Sequence, residues 1–203
     1  MRKAIYVLLA LMVPAVASGQ GAPPTVELCS TCHGESAPSP YADVPTIHGL
    51  PEVVIEIALY DFHGKARPCR KASCAATGDC SDITMCDVAV SMDHANMEAL
   101  AVWYEARNWV PAPESFNPAL AARGKVLHAE QCEICHTAGG TDPRDEASIL
   151  RGQRMEYLRT ALADYQAGRR TAVAAMDDLI RALEADELEA LVHYYASPVE
   201  GGG

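Results

Sequence analysis

The chain has 203 residues, 49% of them hydrophobic and 21% charged, a balance that argues against disorder and for a packed globular chain. That length accommodates one large domain or two small ones, and two of under 100 residues would each have a thin core. The formal net charge of −11 argues against nucleic acid and anionic lipid as partners. It suits a protein partner with a basic patch, or simply keeps the chain soluble.

The N-terminus reads as an export signal. Arg2 and Lys3 form a positive start, Ala4 to Ala17 is apolar apart from the break at Pro14, and Ala15-Val16-Ala17 is a small-x-small cleavage site. Residues 1–17 are therefore expected to be removed and the mature chain to be periplasmic. The apolar run is short for a membrane span, and no later segment is long and apolar enough, so no stable membrane insertion is expected. Residues 1–17 hold two of the 16 basic side chains and no acidic one, which leaves −13 on the mature chain.

Downstream the chain repeats itself. Cys29-Ser-Thr-Cys32-His33 is matched by Cys132-Glu-Ile-Cys135-His136. At the same interval after each histidine stands a glycine, Gly49 or Gly152. Each glycine opens a segment with helical spacing of apolar residues, Pro51 to Phe62 and Met155 to Gln166. The first segment ends at Gly64 with Arg67 beyond it, the second at Gly168 with Arg169 and Arg170, both good helix stops. Each half then carries a methionine, Met85 or Met176, followed at one shared interval by an aromatic pair, Trp103-Tyr104 or Tyr194-Tyr195. The aromatics close helices predicted over Asp93 to Arg107, with Asp93 as N-cap, and over Ala185 to Ala196. Asn108 to Asn117, stiffened by Pro111 and Pro113, reads as a linker. Asn117-Pro118 reads as an N-cap followed by proline at the first helical position. No useful strand alternation appears, so the fold class is all-α. The expected division is a signal peptide (1–17), a first domain (18–107) with a cysteine-rich insert (68–86), a linker (108–117) and a second domain (118–203).

Cys-x-x-Cys-His is the attachment signature of c-type haem. Two thiols three residues apart on a helical turn face one side of the chain and add to the two haem vinyl groups. The adjacent histidine reaches the iron. The competing readings, a redox dithiol or half a zinc site, do not account for two copies in a helical repeat. The expected cofactors are two covalently bound haem c groups, on Cys29, Cys32 and His33 and on Cys132, Cys135 and His136. Met85 and Met176, at equivalent places in the repeat, are the expected sixth ligands, where a soft thioether raises the potential. Met92, Met97 and Met155 read as packing. His63, His94 and Cys86 compete with Met85 as donors, and a Cys86 thiolate would mark an enzyme of sulfur oxidation. His63 and His94 otherwise read as surface residues, and His48, His128 and His193 as helix-face or loop residues. The other ring nitrogen of each ligand histidine needs an acceptor, and the carbonyls of Pro45 and Ser148 stand at the matching positions.

These residues resemble known families. Pro45-x-Ile-x-Gly49, a helix ending Gly-x-x-Arg, Met85 and a last helix with Trp-Tyr look like one domain of the dihaem cytochromes c4. From Ser115 to Ser197, the second half is similar to the dihaem subunit of flavocytochrome c sulfide dehydrogenase. It carries Gly124-x-x-Leu-His128, Cys132-Glu-x-Cys-His-x-x-Gly-Gly140, Arg151-Gly-Gln, Tyr157-Leu and Tyr195-Ala-Ser. The resemblance implies two tandem cytochrome c-type domains related by a pseudo-twofold. It implies the same eight ligand and attachment residues, and an electron-transfer role rather than an enzymatic one. The implied partner is an FAD-containing sulfide dehydrogenase subunit or another redox protein with a basic patch. The alternatives are a free carrier to a terminal oxidase and a thiosulfate dehydrogenase-like dihaem enzyme. The chain departs from the pattern between Arg67 and Met85, where the stretch is three times as long as that from Arg170 to Met176. Cys69, Cys74, Cys80 and Cys86 fall in or beside this excess, and two disulfides are expected there with three connectivities open.

Overall fold

The structure, a computed structural model, describes residues 22–199; the expected leader, residues 1–17, lies outside the described residues. The chain runs through α1 (Val26–His33), α2 (Glu52–His63), α3 (Ser73–Thr77), α4 (Met85–Val90), α5 (His94–Glu105) and α6 (Pro118–Leu127). A π-helical turn (His128–Cys132) carries α6 into the second cysteine motif, followed by the short turn α7 (Thr137–Gly140) and a 3-10 turn (Pro143–Asp145). Then come α8 (Met155–Gln166), α9 (Ala174–Ala182) and α10 (Ala185–Ala196). Among the described residues the one extended pairing is an isolated bridge between Lys71 and Thr84. The all-α expectation holds, and the periodic segments form helices within a residue or two of their expected bounds.

Helix starts follow the capping chemistry. Asp93 accepts from the Asn96 amide at the head of α5, and Asn117 accepts from the Ala119 and Leu120 amides with Pro118 behind it at the head of α6. Thr84 and Asp87 exchange hydrogen bonds across the first turn of α4, so Met85 begins a helix rather than ending a loop. One expected stop works differently. Gly64 closes α2 at φ −80°, and Lys65 takes the left-handed turn at φ 56°.

Two cores organise the molecule. Ile55 and Leu59 of α2, Ala89 of α4, and Met97, Leu100 and Tyr104 of α5 build the first. Met155 and Leu158 of α8, Ile180 of α9, and Leu188, Leu191 and Tyr195 of α10 build the second. Met92, Met97 and Met155 are buried in these cores, as expected of packing residues. Ile149, from the second half, packs into the first core. In the second half α6 packs tightly against α10. The contact depends on Gly124, where an added Cβ would lie 2.1 Å from the Ala190 carbonyl oxygen.

The halves are joined through buried polar groups. The Thr46 amide donates to Gln153 Oε1 at 2.8 Å, and Gln153 Nε2 donates to the Thr46 carbonyl at 3.0 Å. The stretch expected to be a linker packs against the second half. Trp109 Nε1 donates to the Arg151 carbonyl (3.1 Å) and the Ala112 amide to the Gly152 carbonyl (2.7 Å). The Met155 amide, in turn, donates to the Glu114 carboxylate (2.6 Å).

Candidate functional site

Each cysteine motif is framed by the same set of contacts. In the first, α1 delivers Cys29, Cys32 and His33, and the chain loops back so that His33 Nδ1 lies 2.8 Å from the Pro45 carbonyl. In the second, His136 Nδ1 lies 3.1 Å from the Ser148 carbonyl. A carbonyl only accepts, so each Nδ1 carries the proton and each Nε2 keeps its lone pair free. Burial pushes both imidazoles below their ordinary range, partly opposed by those carbonyl bonds.

The two glycines behind the histidines are fixed by the last helix of each half. Gly49 donates its amide to the Tyr104 carbonyl (2.8 Å), and Gly152 donates to the Tyr195 carbonyl (2.7 Å). Both have left-handed backbones, φ 79° and 82°, and a Cβ on either would strike the neighbouring chain at Trp109 or Pro111. The same tyrosines reach the cysteines. Tyr104 sits against the Cys29 sulfur and Tyr195 against Cys132; burial raises the pKa of both thiols, and the tyrosines partly oppose it. The repeat read from spacing is therefore a repeat of contacts.

Met85, the first residue of α4, and Met176, in the first turn of α9, are partly buried and pack on the first and second cores respectively. Each belongs to the short helix that precedes the last helix of its half. Cys86 has no free thiolate to donate, because it is joined to Cys69, and Cys74 is joined to Cys80. This corrects the alternative in which Cys86 ligates iron. His63 and His94 are exposed, as surface residues should be.

His193 stands on α10 as expected, whereas His128 and His48 are more than helix-face or loop residues. His128 is 1% exposed, and its Nε2 lies 2.8 Å from Glu133 and 3.0 Å from the His136 carbonyl. Both are acceptors there, so Nε2 donates and Nδ1 accepts from the Tyr195 hydroxyl at 3.0 Å. His128 thus ties the end of α6 to the second motif. His48 is 3% exposed, edge-on to Tyr104, and neither ring nitrogen has a partner. No periodicity marked either residue, because burial of a loop histidine depends on what packs over it.

A second polar cluster lies where the halves meet. Arg67 stacks on Phe62 and Arg170 on Tyr165, at matching places in the repeat. Both guanidinium groups donate to the Tyr157 hydroxyl at 3.4 Å. Burial would raise Tyr157, but the two arginines overcome it and hold the phenol down at about 8. Arg170 Nε is buried without a partner. Beside them, Asp164 receives Arg70 from the insert (2.7 Å to Oδ1) and Arg169 from its own half (2.8 Å).

These features fit a large, flat, covalently held group in each half. Two thiols and a correctly protonated imidazole converge at each motif. Beside the first motif the buried His48 ring nitrogens lack hydrogen-bond partners, and where the halves meet Arg170 Nε is buried without one.

No protein-family model matches the chain. It is 28% identical over 214 residues to a thiosulfate dehydrogenase electron acceptor from Stutzerimonas stutzeri (strain A1501), covering 95% of this chain and 92% of that protein. Its fold is similar to reduced cytochrome c4 from Pseudomonas stutzeri, at TM-score 0.69 and 22% identity over 86% of this chain and 95% of that one. Cytochrome c4 from Acidithiobacillus ferrooxidans aligns at TM-score 0.67 and 24% identity, over 85% of this chain and 99% of that one. A thiosulfate dehydrogenase from Marichromatium purpuratum aligns at TM-score 0.66 and 24% identity, over 84% of this chain and 36% of that one. The fold is thus that of two tandem cytochrome c-type domains.

Proposed function

We propose that this chain is an exported dihaem electron-transfer cytochrome that accepts single electrons from a thiosulfate-oxidising enzyme. The observation that carries the haem reading is the duplicated histidine geometry, Nδ1 on a backbone carbonyl and Nε2 left free, beside two cysteines in both halves. Cys29 and Cys32 would hold one haem and Cys132 and Cys135 the other, with His33 and His136 as proximal ligands. Met85 and Met176 would each offer a thioether ligand. Arg67 and Arg170 would receive haem carboxylates. When bound, each haem would supply one-electron exchange, and with a histidine and a methionine offered to each the site suits transfer rather than substrate turnover. The domains would be residues 18–107 and 118–203, with 108–117 between them.

The donor class rests on the 28% identical relative, an electron acceptor for thiosulfate dehydrogenase that matches this chain along nearly its whole length. The sulfide-oxidising flavoprotein, expected from resemblance in the second half, is the second reading. The disulfide on Cys86 disfavours turnover of thiosulfate by the chain alone. The test is affinity purification of the tagged protein from its native periplasm, with optical spectra of the eluate. Mass must show two haems per chain. Bleaching of the oxidised haems by thiosulfate, requiring a co-purified or added thiosulfate dehydrogenase, supports the proposal. A flavin-bearing companion and reduction by sulfide would replace it with the second reading.

A further inference from the structure

The insert makes the two cysteine motifs unequal. In the first half the Cys74–Cys80 bridge lies against the attachment sulfur of Cys32, and the three sulfurs are all within 4.8 Å of one another. The bridge is fastened there. Ser73 donates its amide (2.7 Å) and hydroxyl (2.6 Å) to Asp43, and Tyr41 donates to the Asp79 carbonyl at 3.3 Å. Cys32 is accordingly only partly exposed, whereas Cys135, the matching sulfur in the half without an insert, is exposed. A thioether bond fixes the rim of its haem at the sulfur, so the insert covers the first site at Cys32 and leaves the second open at Cys135. The open motif is also the apolar one. Ile134, between Cys132 and Cys135, is 88% exposed, the most of any large hydrophobic side chain among the described residues. Its counterpart in the first motif is Thr31, whose hydroxyl donates to the Leu28 carbonyl at 2.8 Å. Val126, on α6 just before the π-helical turn, is 56% exposed. Glu130 and Glu133 flank Ile134 in the chain, and Arg123 of α6 is already held by Asp186 at 2.6 Å.

We propose that the electron-donating protein docks on the second cysteine motif, with Ile134 and Val126 in the contact, and not on the first. The proposal rests on the reading of the chain as acceptor for a thiosulfate-oxidising enzyme and names the face that enzyme uses. The occupant is a protein whose contact surface is apolar at its centre and basic at its rim. The apolar centre covers Ile134 and Val126. The basic rim meets Glu130 and Glu133 on a chain of formal net charge −11. A second copy of the chain does not fit, because it would set these carboxylates against their own copies. A small apolar contact inside a charged rim suits a short-lived redox encounter, which needs less area than a permanent interface. Each encounter transfers one electron, the donor being oxidised and this chain reduced by one. The first motif is a poor site for the same encounter, because the anchored bridge stands between Cys32 and an approaching protein.

The test is stopped-flow reduction of the oxidised, haem-loaded full chain by a thiosulfate dehydrogenase turning over thiosulfate. Ile134→Lys should lower the second-order rate constant about tenfold or more, since it removes a buried isoleucine and adds a like charge. Ile134→Ser should lower it less. Val126→Lys, which leaves the cysteine motif untouched, should slow it too. The parent's rate constant should fall as salt is raised. Thr31→Lys, at the matching place in the covered motif, and Ile57→Lys, at an exposed apolar residue of α2, should leave the rate constant unchanged. Haem content by mass and the rate of reduction by ascorbate should match the parent in every variant, which separates lost docking from lost haem. If Ile134→Lys and Val126→Lys are both reduced as fast as the parent, or Thr31→Lys is slowed as much as Ile134→Lys, the docking face is overturned and the acceptor reading stands. A rate constant that rises with salt overturns the basic rim. A parent chain that the enzyme does not reduce at all overturns the acceptor reading, and this partner with it.

Discussion

Gly124→Ala is the smallest change with a large expected cost. A Cβ at this position would stand 2.1 Å from the Ala190 carbonyl oxygen, 2.6 Å from its carbon and 2.7 Å from Tyr194 Cβ. Two of the three obstacles are helix backbone, so no rotamer change relieves them, and α6 and α10 must move apart. Overpacking a tight core costs about 1–3 kcal/mol, and with backbone as the obstacle the upper end, about 3 kcal/mol, is the expectation. At roughly 4–8 °C per kcal/mol for a domain of this size, the second half should melt about 12 °C lower or more. The assay is thermal unfolding followed by helical circular dichroism, with Gly64→Ala as control. There φ is −80° and the nearest atom is 3.4 Å away, so the melting temperature should hold or rise slightly. A Gly124→Ala variant that melts within about 2 °C of the parent would refute the claim that the α6–α10 contact is limited by this glycine.

Asp164→Asn should cost about 1–3 kcal/mol, because Arg70 and Arg169 lose a buried anion, although both arginines are about half exposed at 46% and 51%. Burial raises the Asp164 pKa, but Arg70 and Arg169 more than offset it and hold the carboxyl below its ordinary range. Its stabilisation is therefore full above the unfolded carboxyl pKa of about 3.9 and lost as pH falls through the lower folded value. Parent and variant stabilities, measured by urea unfolding, should converge in acid. Gln153→Ala strips both partners from the Thr46 backbone and should cost about 2–4 kcal/mol. Calorimetry should then resolve two unfolding transitions where the parent shows closer coupling. Met85→Ala and Met176→Ala should each remove half of the methionine-to-iron band in the oxidised optical spectrum and lower one of two potentials. Loss of neither band would remove the methionines as ligands.

The fold was legible because the repeat combined two independent signals, fixed offsets between chemically special residues and helical spacing between them. Met155–Gln166 and Ala185–Ala196 form helices at the bounds their patterns predict, since apolar periodicity and end signals agree there. The carbonyl acceptors Pro45 and Ser148 were legible for a similar reason, as equivalent positions in two copies. His128 and His48 were not. Their burial comes from Tyr195 and Tyr104, each on the last helix of its half and distant in the chain, and no local pattern encodes such contacts. Disulfide pairing was equally illegible, because four cysteines in one short stretch permit every connectivity until the loop path is known.

The insert explains how a repeated scaffold absorbs an irregular addition. The extra chain between Arg67 and Met85 has to be ordered, at a cost on the order of 1–2 kcal/mol per residue. Local helix formation does little to offset this, since α3 is only the short segment Ser73–Thr77. The two bridges reduce the cost in the unfolded chain. Cys69–Cys86 closes a loop with a sequence separation of 17 and Cys74–Cys80 one of 6, and loops of this size are worth roughly 2–3 kcal/mol each. Ser73 on Asp43 and Arg70 on Asp164 then fix the loop to both halves. The larger bridge ends at Cys86, the residue after Met85, and the Thr84–Asp87 capping box encloses the same turn. In the second half, Met176 follows closely on Arg170 and needs no brace. The covalent restraint thus lies where the first half has the longest stretch of chain leading to its methionine.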